Sequence, residues 1–449
     1  MRRPARARKS SARARSRDIG RADWAFRADD EAVFEALARG RHVASLREYF
    51  GSPAHAELSA LAKAAALAKA AAPAKAARAR PPARDGRPSH RRVLILPGIM
   101  GSKLATTKSR GAPSGLLWMD PLKISDGLLT RLRLPAGSRL RATGVLLVSY
   151  ARLKLALEIA GHDVALHAYD WRRGVDELGK ELAQRIIADG RPVVLVAHSM
   201  GGLVARVAAG LVPKHWIRRL ILLGTPNHGS FASVQALRGT YPTVRKIASL
   251  DRHHSARHLA ERVFGTFPGL YHLLPCGARH GLDLLDSRSW PADGPRPRTA
   301  LLSGVAAARA LLAPPDSRMV QIVGVDQDTV VGVRRTRAGF EYLVRKSGDG
   351  TVPLALAVLP RLDCYYVEEL HSNLAANARV IRAVVELVTR PRTRALSTRW
   401  RTRPGPLRRT DDERLRRDRV GKVDWRSLGP AEREAALADL DSARLACRV

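Results

Sequence analysis

From residue 92 onward, short runs of almost unbroken apolar residues alternate with longer stretches in which apolar positions recur every three or four residues. The runs are VLILPG, DVALHAYDW, PVVLVAHS, RLILLGTP, VQIVGV and CYYVEEL; the periodic stretches between them include YARLKLALEIAG, DELGKELAQRIIADG and GGLVARVAAGLV. A strand that is apolar at every position must be covered on both faces, and helices between strands supply that cover. The pattern therefore predicts an α/β fold over residues 92–390, a mainly parallel central sheet flanked by helices. Residues 230–318 interrupt the alternation between two predicted strands and read as a helical cap insertion. Upstream, residues 22–80 are predicted helical: Val33, Phe34, Leu37, Val43, Leu46 and Phe50 fall near helical spacing, and an Ala/Lys run follows. Lys63, Lys69, Pro73 and Lys75 interrupt the run from Ala56 to Ala79, which reads as an Ala-rich helix and not as a membrane span.

The flanks differ in composition. Residues 1–21 read as a flexible basic tail, residues 81–91 as a Pro-, Gly- and Arg-rich linker, and residues 391–449 as an Arg-rich tail with a short helix over 429–445. With 78 Lys+Arg against 41 Asp+Glu the formal net charge is +37, which favours contact with polyanions such as an anionic membrane surface or nucleic acid. Trp400 is the only aromatic within the basic stretches 1–20 and 391–420, so stacking-based nucleic-acid recognition is not supported. Three cysteines make no disulfide framework and show no metal-ligand spacing, and no cofactor-binding loop is visible. No apolar segment follows the basic start, so the expectation is a cytoplasmic or peripheral membrane protein without signal peptide or transmembrane segment.

The chemistry is concentrated in RPVVLVAHSMGGLVARVAAG. Ser199 falls on the turn between a buried strand and a helix that Gly201 and Gly202 open, where a nucleophile elbow lifts its serine above the sheet edge. Ala197 stands where such elbows usually have Gly, and remains small. The helix N-terminus aims backbone N–H groups at the reaction centre, with that of Met200 placed for an oxyanion. A serine hydroxyl needs a base, and the base needs an orienting carboxylate. His371 follows the last apolar strand and precedes a helix, the expected place for the base. His253, His254 and His258 lie in the cap with no strand before them, and the His198 side chain should point away from Ser199. For the acid, glycine-flanked Asp349 in KSGDGTVPL is preferred to Asp326, which ends VQIVGV. A second oxyanion donor is expected in LILPGIMGSKL, the N–H of Met100 or Ile99, with Gly98 and Gly101 allowing the turn.

LPGIMGSKL, YDWRR, AHSMGGLVAR, GTPNHGS, FPGLYHLLP, GDGTVP and LHSNL occur in that order over about residues 92–388. Together they resemble the lecithin:cholesterol acyltransferase and phospholipid:diacylglycerol acyltransferase family, in its bacterial lipase-like form. The resemblance implies an α/β-hydrolase fold with Ser199 as nucleophile, Asp349 as acid, His371 as base and the Met100 N–H as oxyanion donor. It also implies a mobile lid within 230–318 and a pocket base shaped near Trp171 and Arg172. The helices before residue 80 and the Arg-rich end lie outside it.

The leading expectation is a serine esterase or lipase acting on a lipid ester, without cofactor or metal. Acyl transfer to an alcohol is the first alternative. A non-catalytic protein that binds membranes or nucleic acid through its basic tails is the second.

Overall fold

The computed structural model describes residues 24–78, 91–107, 113–135, 139–276, 282–401, 405–417, 421–429 and 432–433. The expected basic tail 1–21, most of the linker and most of the helix expected over 429–445 lie outside the described residues. Six strands form one sheet: β1 (Arg92–Leu96), β5 (Asp163–Leu166), β6 (Val193–His198), β7 (Ile217–Leu223), β8 (Met319–Val325) and β11 (Asp363–Glu368). Their order is β11-β8-β7-β6-β1-β5, and every pairing is parallel. β6 and β8 are buried at every position, because helices cover both faces.

Strand alternation divides the core into two layers. Leu94, Leu96, Leu195 and Ala197 point into one, packed with helices Val175–Ala188 and Met200–Leu211. Val93, Ile95, Val194 and Val196 point into the other, packed with helices Leu147–Ile159 and Ala378–Thr389 and with the N-terminal helices. The parallel sheet covered on both faces is what the alternation predicted, and the whole is the α/β-hydrolase fold that the resemblance implied. No helix among the described residues is long and apolar enough to cross a membrane.

Two small antiparallel sheets were not anticipated. One, in the order β3-β2-β4, joins β2 (Ser102–Thr107), β3 (Pro113–Trp118) and β4 (Leu140–Val145). The other, in the order β12-β10-β9, joins β9 (Asp328–Thr336), β10 (Gly339–Lys346) and β12 (Arg408–Asp411). β9 and β10 form a hairpin inserted between β8 and the loop carrying Asp349.

The presence of β12 changes the reading of residues 391–449 as a tail: residues 408–417 and 421–428 are part of the folded body. Asp412 is fully buried and accepts hydrogen bonds from Arg238 Nε (2.8 Å), Tyr342 Oη (2.7 Å) and Phe340 N (3.2 Å). Trp425 is also buried, and Arg408, Arg416 and Arg426 pair with Asp328, Asp293 and Asp126. The acids that neutralise these arginines lie far away in sequence, which is why the segment looks like a free basic stretch when read alone. Asp412→Ala leaves the Arg238 guanidinium short of a buried partner and is expected to destabilise the protein by about 3 kcal/mol. A urea titration of full-length wild type and variant measures this; equal midpoints would make the segment peripheral after all.

Candidate active site

Ser199 sits between the end of β6 and the helix Met200–Leu211, with φ 54° and ψ −126°. A non-glycine residue held there is strained, and the surrounding structure must fix it. The Ser199 N–H donates to Leu223 O (2.8 Å), and Ser199 O accepts from Gly202 N (2.9 Å). The turn tolerates only small neighbours. A Cβ on Gly201 would stand 2.5 Å from Pro97 O, and one on Gly98 would stand 2.9 Å from Ser199 Cβ.

The serine hydroxyl lies 2.8 Å from His371 Nε2, and His371 Nδ1 lies 2.7 Å from Asp349 Oδ2. A carboxylate only accepts, so Nδ1 carries the proton and Nε2 is free to accept from Ser199. Asp349 is itself buried and immobilised: its Oδ1 accepts from Thr351 N (3.0 Å) and Val352 N (2.7 Å). Its main-chain carbonyl also accepts from His371 N (2.8 Å), so one residue holds both ends of the histidine. Asp326, the other acid considered, has φ 59°, and its Oδ1 has no hydrogen-bond partner among the described residues. It makes no bond to His371.

Met100 also has a positive φ, 63°, in a turn closed by Gly101 N donating to Gly98 O (3.1 Å). Trp118 Nε1 donates to Met100 O (2.8 Å), and both Met100 and Ile99 line the cavity above Ser199. Met200 is the first residue of its helix, so its N–H has no intrahelical acceptor. YDWR stands behind the cavity wall and serves it structurally. Tyr169 Oη donates to Pro97 O (2.6 Å), Trp171 Nε1 to Ser102 O (3.0 Å), and Arg172 pairs with Asp170 and bonds Leu132 O. The Tyr169 and Trp171 bonds fix both ends of the turn that carries Met100.

The sequence reading turns the His198 side chain away from Ser199 but does not disclose its partners. It is buried beside His371, ring centroids 4.9 Å apart, with Nε2 2.9 Å from His371 O and Nδ1 2.9 Å from Tyr150 Oη. Nε2 faces a carbonyl and must carry the proton, so Tyr150 donates to Nδ1 and in turn accepts from Gly98 N (2.9 Å). Burial, reinforced by the nearby His371, lowers the His198 pKa to about 3 and keeps the ring neutral. A single chain of bonds thus links the turn beside Ser199 to the main chain of His371. Only the elbow motif hinted at it, by placing a histidine next to the serine.

The cavity over Ser199 measures about 470 Å³. Tyr241, Val244, Ile247, Phe264, Phe267 and Leu270, all from the segment between β7 and β8, line it, and so do side chains of the N-terminal helices. His253, His254 and His258 are not among its lining residues; His254 stacks on His258 and bonds Asp251. Among the described residues no group of three or more His, Cys, Asp or Glu could hold a metal ion.

Residues 181–267, which include the elbow, match the sequence model of the PGAP1-like alpha/beta domain. Among curated proteins, the lysosomal phospholipase A and acyltransferase of Canis lupus familiaris is 33% identical over 113 residues, or 22% of this chain. The match spans 28% of that relative's length. Of solved structures, a chain of the Tle4-Tli4 complex is 12% identical with a TM-score of 0.47, covering 67% of this chain and 98% of that one. The mature Bacillus licheniformis lipase BlEst2 is 16% identical with a TM-score of 0.33, covering 68% of this chain and 92% of that one. The matched sequence segments agree with the motif resemblance: this α/β-hydrolase has a phospholipase A and acyltransferase among its relatives.

Proposed function

We propose that the protein is a serine esterase acting on lipid esters through an acyl-enzyme, with Ser199 as nucleophile, His371 as general base and Asp349 as orienting acid. The observation that carries this reading is the unbroken line of short hydrogen bonds from Ser199 Oγ through the His371 ring to a buried, doubly held Asp349. As Ser199 Oγ bonds to the ester carbonyl carbon, its proton passes to His371 Nε2 and the carbonyl oxygen becomes an oxyanion. The Met100 and Met200 N–H groups receive that charge; each such donor contributes about 3 kcal/mol to transition-state stabilisation. Collapse of the tetrahedral intermediate breaks the bond to the alcohol oxygen, which takes the proton from His371. Water activated by the same histidine then releases the acid.

An alcohol in place of water gives acyl transfer. The relative's name joins both activities, so this is the second reading. Hydrolysis leads, and an assay offering phospholipid with a sterol or diacylglycerol separates the two by the product that forms faster. The basic excess favours peripheral contact with anionic membranes.

The decisive experiment is labelling by a fluorophosphonate probe, which reports an activated serine. Wild type is expected to label and Ser199→Ala to remain unlabelled. Folded wild type that stays unlabelled with and without detergent would remove the proposal.

A further inference from the structure

The helices before residue 80 lie outside the family resemblance, yet they reach the active site. Phe26, Glu48, Tyr49 and Phe50, from helices Trp24–Arg27 and Val43–Phe50, line the same cavity as Ser199. The three rings form a continuous edge-to-face row, Phe26 on Tyr49 at 4.8 Å and Tyr49 on Phe50 at 4.7 Å. They share its lining with Met100 and Trp118.

The row is fastened to the catalytic framework at fixed points. Tyr49 Oη accepts from Leu147 N (3.1 Å), and the adjoining Leu146 N donates to Gly101 O (2.8 Å), in the turn beside Ser199. Asp30 Oδ2 accepts from Val145 N (2.8 Å), while buried Lys103 Nζ donates to Ala28 O (3.0 Å) and pairs with Asp30 Oδ1 (3.2 Å). From the far side, Arg433 reaches Glu48 at 3.5 Å. A segment held by buried ionic and main-chain bonds has a set position, and side chains with a set position define a cavity's length and shape.

We infer that helices 24–50 form the wall that selects the acyl chain, with half-buried Phe50 setting the length of chain admitted. This rests on the esterase reading for the identity of the ligand, but acyl-chain binding can be measured without catalysis. An aromatic row in the cavity that holds the nucleophile suits an aliphatic chain: it offers dispersion contacts and removes methylenes from water. Because its rings are bulky, it also stops a chain that is too long.

The test uses the full chain carrying Phe50→Ala or Phe50→Trp, with Phe26→Leu as a milder cut in the same wall. In a Ser199→Ala background, neutral fatty alcohols of increasing length compete with a fluorescent fatty-acid probe. With Ser199 intact, the rate profile over short-, medium- and long-chain p-nitrophenyl esters is recorded, and a circular-dichroism melt verifies folding. Phe50→Ala is expected to move both optima to longer chains, with about a fourfold gain in affinity per methylene newly accommodated. Phe50→Trp is expected to move both to shorter chains. Binding optima that coincide for wild type and all folded variants would overturn the inference, whatever the esterase activity. Shifted binding optima without Ser199-dependent hydrolysis would uphold the wall and remove the esterase reading instead.

Discussion

Ser199→Ala and His371→Ala are each expected to lower kcat/KM toward a lipid ester by about 10⁶, and Asp349→Asn by about 10⁴. The serine and histidine act as one unit, so the double variant should lose no more than either single one. Asp349 acts one bond further from the reacting atoms. Asparagine keeps the size of the side chain but offers Nδ1 a donor or a weaker acceptor, so it favours the wrong tautomer and no longer stabilises the imidazolium. Asp326→Asn is the discriminating control. Asp326 stands directly after β8 but makes no bond to His371, and its Oδ1 has no partner among the described residues. Asparagine also tolerates the left-handed backbone found there. Activity within about threefold of wild type is expected for this variant. Steady-state kinetics on the four single variants and the double variant suffice. A large loss for Asp326→Asn with a small one for Asp349→Asn would exchange the two acids, and additive losses for Ser199 and His371 would deny that they act together.

What the sequence discloses depends on how local the physics is. The central strands were legible because a doubly covered strand is almost continuously apolar, as in β6 and β8, and the edge strands β5 and β11 because each still carries a short apolar run. The antiparallel sheets were not, because their strands mix polar and apolar residues without a sustained apolar run. β9 ends in exposed Arg334 and Arg335, which hide the buried Val333. The N-terminal helices were legible as helices from Val33, Phe34 and Leu37, whose burial follows their spacing. Their contact with the cavity was not, since Tyr49 and Asp30 accept from main-chain N–H donors roughly a hundred residues away, at Leu147 and Val145. Asp412 illustrates the same limit in electrostatics. Surrounded by arginines in sequence, it reads as a solvated charge, whereas it is fully buried against Arg238 and Tyr342. The elbow stood out because strain, small neighbours and helix start are packed into one short stretch. The link from Tyr150 through His198 to His371 had to wait for the fold.

That link has a consequence for stability in acid. Burial is the main cause that lowers both His198 and His167 to a pKa of about 3, with His371 adding to it for the first and Arg185 for the second. Each ring must stay neutral to keep its bonds: His198 Nδ1 accepts from Tyr150, and His167 Nδ1 accepts from Arg185 (2.6 Å). In the unfolded chain both titrate near 6.5, so between pH 6.5 and 3 the unfolded state binds more protons and acid favours unfolding. Their penalty is absent at neutral pH, grows by about 1.4 kcal/mol per pH unit for each histidine, and reaches about 3 kcal/mol each at pH 4. Together that is a large share of the roughly 5–15 kcal/mol by which folded proteins outlast their unfolded states. Urea unfolding at pH 7, 5 and 4 is expected to show a steep loss in wild type. His198→Gln, which retains a donor for the His371 carbonyl, and His167→Gln should each lower neutral-pH stability yet flatten the acid slope by about one proton. Slopes identical to wild type in both variants would mean that neither histidine is held neutral by the fold, and the tautomer assigned to His198 would fall with them.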